Sequence, residues 1–178
     1  MRRRGLSRLG SVARGILAGL VGTLAMDLVW YRRYRRGGGT SRFVDWEFSS
    51  GPQGYENAPA PAQVGKRIVE SLFQRRLEAQ SPALVNNVVH FATGIGWGTL
   101  HGIVAGSVRQ RPARHGLATG AIAWATSYAM LAPAKLYKPM WQYSASTLRK
   151  DLSAHLVYGL ATSATFWLLS RQAASRGG

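Results

Sequence analysis

The chain has 178 residues and no cysteine, and it carries a formal net charge of +16 from 23 Lys and Arg against 7 Asp and Glu. The lack of cysteine excludes disulfides and cysteine-ligated zinc. The basic residues form clusters that bracket long, nearly uncharged stretches, whereas a nucleic-acid-binding protein usually carries them along helices on a polar body. Flanking charge is typical of a polytopic membrane protein, so we expect a lipid bilayer as partner and no nucleic acid.

The first apolar segment, residues 15–31, follows a basic tail and reads GILAGLVGTLAMDLVWY. A positive start before a short apolar run also describes a secretory signal peptide, but no clean A-x-A cleavage site follows it. The segment lies at the short end of the length that spans a bilayer. We predict a retained spanning helix, with a re-entrant or interfacial helix as the alternative.

Residues 32–62 are predicted to form a loop, because a triple glycine and a run of alternating prolines oppose regular structure. Residues 64–79 then place Val, Ile, Leu and Phe near helical spacing, with most Lys and Arg on the other side. Such a basic amphipathic helix lies in the headgroup plane of an anionic leaflet, which makes anionic lipid headgroups an expected partner. A surface helix packed on the ends of a bundle explains the pattern equally well.

Residues 84–106 contain no Lys, Arg, Asp or Glu and are long enough to cross a bilayer as a helix. Four glycines recur there at every fourth position: Gly94, Gly98, Gly102 and Gly106. Glycines at this spacing form a groove along one side of a helix, and small residues let two helices approach closely. We therefore predict that this side of the helix packs against another helix.

Two further spans are predicted in the second half of the chain, at residues 115–133 and 151–170. Pro133 ends the first of them, because proline lacks the backbone donor and crowds the preceding turn. The connector between the two spans places Tyr and Trp beside lysines, a composition typical of the lipid–water interface. A frayed polar tail is expected after residue 170.

These elements predict an all-α fold: one integral membrane domain over residues 1–178. We expect a transmembrane helical bundle of about four helices plus one interfacial amphipathic helix. Each of the four spans is shorter than 25 residues, which suits one crossing apiece. The expected localisation is a cell membrane, with a multi-pass topology.

Four stretches of the chain resemble small actinobacterial multi-pass membrane proteins related to the YagU-like group. The stretches are GLVGTLAMD at Gly19 to Asp27, APAPAQVGKRI before the amphipathic helix, NNVVHFATGIGWGTLHG at Asn86 to Gly102, and LSAHLVYGLAT at Leu152 to Thr162. The resemblance covers about residues 15–167. It implies a bacterial inner-membrane helical protein whose activity is not established, and it supplies no catalytic residue.

Polar and ionisable side chains inside apolar spans are costly to bury, so each one is a candidate functional residue. His90 and His101 are eleven residues apart and fall on one face of their helix. In the last span, Asp151, His155 and Tyr158 also share a face. The candidate intramembrane polar site consists of Asp27, Asn87, His90, His101, His155 and Tyr158.

Structural roles compete with function at each of these positions. A hydrogen bond to a neighbouring helix would explain His90, and a place near the helix end would explain His101. Asp151 is better explained as the opening residue of its helix, where the positive end of the dipole favours a carboxylate. We expect Asp27 to pair with an arginine just after the span, or with a histidine inside the bundle.

Three histidines that converge are an acceptable zinc set. However, the chain contains no HxxxH or HExxH pair, and it also lacks the phosphate-loop and GxSxG motifs. We therefore expect no metal, no cofactor and no enzyme activity. A further hypothesis places His90 and His155 in a shared interior, where a proton taken up at mildly acidic pH would bias a two-state bundle.

Three functions are compatible with this sequence. The first is an integral membrane helical bundle of unknown activity that serves as a scaffold or a stress-response component. The second is a small transporter or proton-linked channel that uses the intramembrane His and Asp; four spans are few for a carrier, so this function implies a homo-oligomer. The third, a membrane-embedded enzyme, is disfavoured by the missing nucleophile and metal motifs.

Overall fold

A computed structural model describes residues 7–48, 54–77, 82–108 and 111–176. Within these ranges the chain is helical and forms no strand. The described helices are α1 (Arg8–Arg36), α2 (Phe43–Glu47), α3 (Ala60–Phe73), α4 (Pro82–Ser107), α5 (Pro112–Leu131) and α6 (Ala145–Arg176). A 3-10 turn at Met140–Gln142 precedes α6. The expected all-α fold is confirmed for this part of the chain.

The four long helices, α1, α4, α5 and α6, pack as an antiparallel bundle. Ser11 near the start of α1 contacts Gly102 near the end of α4, whereas Asp27 near the other end of α1 contacts His90. α1 lies between α4 and α6, and α5 packs on α6. We call the end that holds Arg36, α2, α3 and the 132–144 connector the loop end of the bundle.

The helices extend beyond the predicted spans because capping residues, rather than the limits of apolar sequence, end them. α1 covers residues 8–36 instead of 15–31, and the Ser7 side chain accepts a hydrogen bond from the Gly10 backbone N–H (3.1 Å) at its start. α6 begins at Ala145, where Ser144 Oγ accepts from the Thr147 N–H (3.1 Å). α6 also continues to Arg176, so the expectation of a frayed tail from residue 171 was wrong.

The predicted loop over residues 32–62 contains helical structure, which corrects the sequence interpretation. It holds the last turn of α1, the short helix α2 and the first turn of α3. Proline is tolerated in a first helical turn, so α3 begins at Ala60 despite Pro61. α3 ends at Phe73, before a left-handed Gln74, and not at residue 79; residues 78–79 lie outside the described part of the chain.

The glycine stripe of α4 lies against α1 in backbone-to-backbone contact. A Cβ atom built on Gly98 would lie 2.5 Å from the Gly15 carbonyl oxygen and 2.6 Å from the Gly19 amide nitrogen. Gly94 and Gly102 face the same helix, and Gly106 faces the Ser11 side chain. A second contact of this kind joins α5 to α6 through Gly116, Gly120 and Gly159. Small residues at these positions are what permit the close packing.

Small and polar side chains fill the interior of the bundle, and large apolar side chains cover its outside. Thr23 and Thr162 are among the largest fully buried side chains, together with Phe166. On the outer surface, Val88, Val104 and Leu168 are each more than half exposed. This distribution is the reverse of that in a water-soluble protein, whose interior holds most of its large aliphatic residues.

Two of the described helices, Arg8–Arg36 and Ala145–Gln172, are long and apolar enough by length and composition to cross a membrane. Four spans were predicted. α4 and α5 do not meet the same combination of length, hydropathy and charge among the described helices. The finding therefore supports a helical bundle with two helices of spanning character.

Replacing Gly98 with Leu tests the glycine contact. The new side chain would meet the α1 backbone, which cannot move aside unless the two helices separate. We expect a loss of about 1–3 kcal/mol or more, as for overpacked cores, measured as a lower melting temperature in detergent. Gly96→Leu is the matched control, since a Cβ at exposed Gly96 meets nothing within 4 Å. Equal melting of the two variants would contradict the interpretation.

Candidate functional site

Asp27 of α1 and His90 of α4 form a buried pair near the loop end. His90 Nε2 lies 2.9 Å from Asp27 Oδ1, and Asp27 is only 5% exposed. The close contact between Gly19 and Gly94 brings the two helices near enough for the side chains to meet. Of the two partners expected for Asp27, the histidine is the one observed. Arg33 instead donates to the Lys150 carbonyl (2.8 Å) and to Ser153 Oγ (2.7 Å) on α6.

The second carboxylate oxygen of Asp27, Oδ2, is buried and has no hydrogen-bond partner among the described residues. A buried acceptor that lacks a donor loses its hydration without compensation, which costs about 1–3 kcal/mol and more for a charged group. Such atoms are rare in folded proteins and call for an explanation. A donor supplied by a bound molecule would satisfy this oxygen.

Asp27 and His90 line a cavity of about 570 Å³ at the loop end of the bundle. Its volume falls within the range of about 300–1,000 Å³ that is usual for small-molecule sites. Its walls come from α1, α2, α4 and the proline-rich start of α3. Besides prolines and alanines, the lining consists of aromatic, charged and amide side chains: Asp27, Trp30, Arg33, Tyr34, Trp46, Glu47, Asn86 and His90.

Aromatic contacts and a hydrogen bond from α4 hold α2 beside the cavity. The Trp46 ring packs against Tyr31, Tyr34 and Phe43 with centroid separations of 5.5, 6.1 and 6.0 Å. Asn87 Nδ2 donates to the Glu47 carbonyl at 2.9 Å. Asn87, a predicted site residue, is thus buried and supports the wall rather than facing the cavity.

Glu47 is a lining residue that sequence reasoning missed, because it lies in a segment predicted to be a loop. Burial raises the pKa of the Glu47 carboxyl, the Asp27 carboxylate acts in the same direction, and His90 opposes them. The sequence signal was weak: FVDWE is too short for helical periodicity to be read from it. The Asp27 carboxylate therefore acts on Glu47 across this cavity.

His101 lies apart from the Asp27–His90 pair, at the contact between α4 and α5. His101 Nδ1 is 2.8 Å from Thr119 Oγ1, and the ring packs edge-on against Phe166 at 5.8 Å. Its Nε2 is buried without a partner among the described residues. A small groove of about 220 Å³ between the two helices borders it. His101 thus joins two helices and does not face the larger cavity.

Asp151 links α5 to α6, and its predicted role as the opening residue of α6 was wrong. Its Oδ2 accepts from Trp124 Nε1 (3.1 Å) and from the Tyr128 hydroxyl (3.0 Å), and His155 Nδ1 lies 3.4 Å from Oδ1. α6 begins six residues earlier because Ser144 caps it. Both carboxylate oxygens of Asp151 thus have partners within the protein.

Tyr158 and the histidines make separate contacts. The Tyr158 hydroxyl donates to the Gly94 carbonyl at 2.7 Å and so joins α6 to α4. His90, His101 and His155 each bond a different partner, and the hypothesis that His90 and His155 share an interior stays a prediction. In the part of the chain that the structure describes, no group of three or more His, Cys, Asp or Glu side chains is placed to hold a metal ion.

No protein-family model, no curated protein and no solved structure matches this chain.

Replacing Glu47 with Gln tests the electrostatics of the cavity. Because the folded-state pKa is raised, the ionised carboxylate destabilises the fold above that pKa, and the penalty disappears as pH falls below the ordinary value of 4.5. We expect Glu47→Gln to melt at a higher temperature than the unmodified protein at neutral pH and at the same temperature in acid. Asp45→Asn, which removes an exposed carboxylate on the same helix, is the control. It should leave the melting temperature unchanged at both neutral and acidic pH. Equal melting of Glu47→Gln and the unmodified protein at neutral pH would show that Glu47 is not electrostatically strained.

Proposed function

We propose that this protein is an integral, multi-pass protein of the bacterial inner membrane, in which α1, α4, α5 and α6 cross the bilayer. We further propose that it acts by binding a small ligand in the cavity beside Asp27 and His90. The proposal that it is a relative of the YagU-like group rests on the four sequence stretches that resemble that group.

The distribution of side chains between the interior and the surface carries the membrane proposal. Thr23, Asp27 and Thr162 are almost completely buried, whereas Val88 is 59% and Val104 is 64% exposed on α4. Exposed aliphatic side chains along long helices are unfavourable in water, since burial of apolar area is the main driving force for folding there. In lipid the same surface is solvated by acyl chains, and the helices associate through small residues and polar contacts.

α4 and α5 are included among the proposed spans although, among the described helices, α1 and α6 are the two that are long and apolar enough by length and composition alone. α4 contains no Lys, Arg, Asp or Glu across its 26 residues. The four glycines of its stripe are covered by α1, and His101 is buried against α5, so these residues would not meet lipid. α5 exposes Leu117, Ile122 and Met130 on its outer surface. The side chains that α4 and α5 would turn toward lipid are therefore more apolar than the average residue of each helix.

α3 and the aromatic connector suit the membrane surface at the loop end. α3 packs on α4 through Gly65, while Ile68, Leu72 and Phe73 remain exposed beside the exposed Arg67. A helix with this pattern would place its apolar side chains among acyl chains and its cations among anionic headgroups. Both interpretations of α3, as a bundle-packing helix and as an interfacial helix, are compatible with these contacts.

A scaffold or stress-response component and a proton-linked transporter remain the two candidate roles for such a bundle. The Asp27–His90 pair favours the second, since ionisable residues inside a membrane bundle commonly mark ion or substrate paths. The cavity is at one end of a four-helix unit, so transport would require a homo-oligomer or a rearrangement of the bundle. Binding at the cavity is common to both roles.

Single cysteines introduced into the cysteine-free chain test the topology directly. Ser7, Thr40, Ser107 and Ser146 are exposed residues that alternate between the two ends of the bundle. With an impermeant maleimide on intact spheroplasts, we expect cysteines at 7 and 107 to react from one side and those at 40 and 146 only from the other.

The unmodified protein gives the background, and permeabilised cells should label all four variants. If the cysteines at 7 and 40 react from the same side, α1 does not span and the four-span topology is wrong. Release of the protein from membranes by alkaline carbonate would contradict the integral location itself.

A further inference from the structure

We infer that the cavity beside Asp27 and His90 binds a small organic ammonium ion, a cation that carries N–H donors. This inference rests on the proposed ligand-binding function and specifies its chemical class. It follows from three features of the described lining residues: the unpartnered polar atoms among them are acceptors, two of them are carboxylates, and aromatic rings border the same cavity.

The unpartnered polar atoms identified in the lining are both hydrogen-bond acceptors. Asp27 Oδ2 and Asn86 Oδ1 are buried, border the cavity and have no partner among the described residues. Asp27 is 5% exposed, so water at the surface does not compensate for the missing donor. Acceptors can be satisfied only by a ligand that donates, and an ammonium group offers up to three N–H bonds and no acceptor.

The two carboxylates give the cavity a negative local charge. Asp27 and Glu47 both line it, and their mutual repulsion is one cause of the raised pKa of Glu47. A bound cation would relieve this repulsion and compensate for the burial of Asp27. The opposing cation in the lining, Arg33, is engaged elsewhere: its guanidinium donates to two acceptors on α6.

Aromatic rings form part of the cavity wall, beside prolines and alanines. Trp30 and Trp46 both border the cavity, and the faces of such rings attract cations through their quadrupoles. Arg33 lies 4.6 Å from the centre of the Trp30 ring, so one face of this ring already contacts a cation and Trp46 is the ring left to consider for a ligand. Carboxylates together with aromatic walls are the combination that proteins use to bind ammonium ligands.

The net charge of +16 does not oppose such binding strongly. Salt screens interactions between exposed charges beyond about 10 Å. Charges at contact distance inside a partly desolvated cavity are screened much less. The local carboxylates therefore dominate the attraction for a ligand that has entered.

The test uses the full-length protein in lipid nanodiscs and four-carbon probes that differ in charge. Binding of n-butylammonium, butyrate and tetramethylammonium is measured by saturation-transfer NMR, with empty nanodiscs to subtract partition into lipid. We expect n-butylammonium to bind saturably, butyrate not to bind, and tetramethylammonium to bind more weakly because it has no N–H to donate.

Asp27→Asn should weaken n-butylammonium binding by about 10- to 100-fold, the range expected for losing a hydrogen bond to a charged group. Glu47→Gln should weaken it less, since Glu47 is half-buried, and Asp45→Asn should leave it unchanged. Melting curves of each variant confirm that it is folded. If Asp27→Asn does not fold, the comparison of Glu47→Gln with Asp45→Asn still decides the question.

Three results would overturn the inference. Stronger binding of butyrate would show that the cavity takes anions, which leaves the proposed ligand-binding function intact. Binding of n-butylammonium that is the same in Asp27→Asn, Glu47→Gln and Asp45→Asn would place it outside this cavity. If no probe binds while the cysteine labelling shows four spans, both the cation inference and the ligand-binding proposal fail, and the membrane location stands.

Discussion

The close contact between α1 and α4 determines where Asp27 meets His90 and where the cavity beside them forms. Gly15 and Gly19 of α1 face Gly98 and its neighbours on α4, with no side chain between the two backbones. Since the helices are antiparallel and fixed in register there, Asp27 must meet His90 two turns further along α1. The cavity then forms where the helices reach the loop end and α2 and α3 complete its walls. A shift in this contact would separate the acid from the histidine.

The same contact explains why the interior tolerates so many polar groups. Backbones at this separation leave room only for small side chains, so little aliphatic area is buried between the helices. In water, a bundle of this kind would lack its main source of stability. In lipid, van der Waals packing and interhelical hydrogen bonds take over that role, and the Tyr158–Gly94 and Asp151–Tyr128 bonds are of this type.

Sequence periodicity predicted the long helices and the packing face of α4 but not the partner of that face. Apolar character marked the centres of the helices well, and it failed at their ends, where Ser7 and Ser144 set the boundaries of α1 and α6. The candidate site was predicted in part, because a buried acid or histidine is conspicuous in an apolar run. Glu47 was missed, since its short helix is held by tertiary contacts, with Asn87 and with the aromatic rings around Trp46, that the sequence does not reveal.

Asp27 and Asp151 show how two buried carboxylates in one bundle come to play different roles. Asp151 accepts hydrogen bonds from Trp124 and Tyr128 on one oxygen and faces His155 with the other, so its acceptors are satisfied within the protein. Asp27 has one histidine partner, and its other oxygen is unpartnered at the edge of a cavity. A carboxylate that serves only to join helices stabilises the fold most when both of its oxygens accept hydrogen bonds, because each missing hydrogen bond lowers the stability. The unmet acceptor of Asp27 at the edge of the cavity is therefore the difference between the two carboxylates on which the proposal of a binding role rests.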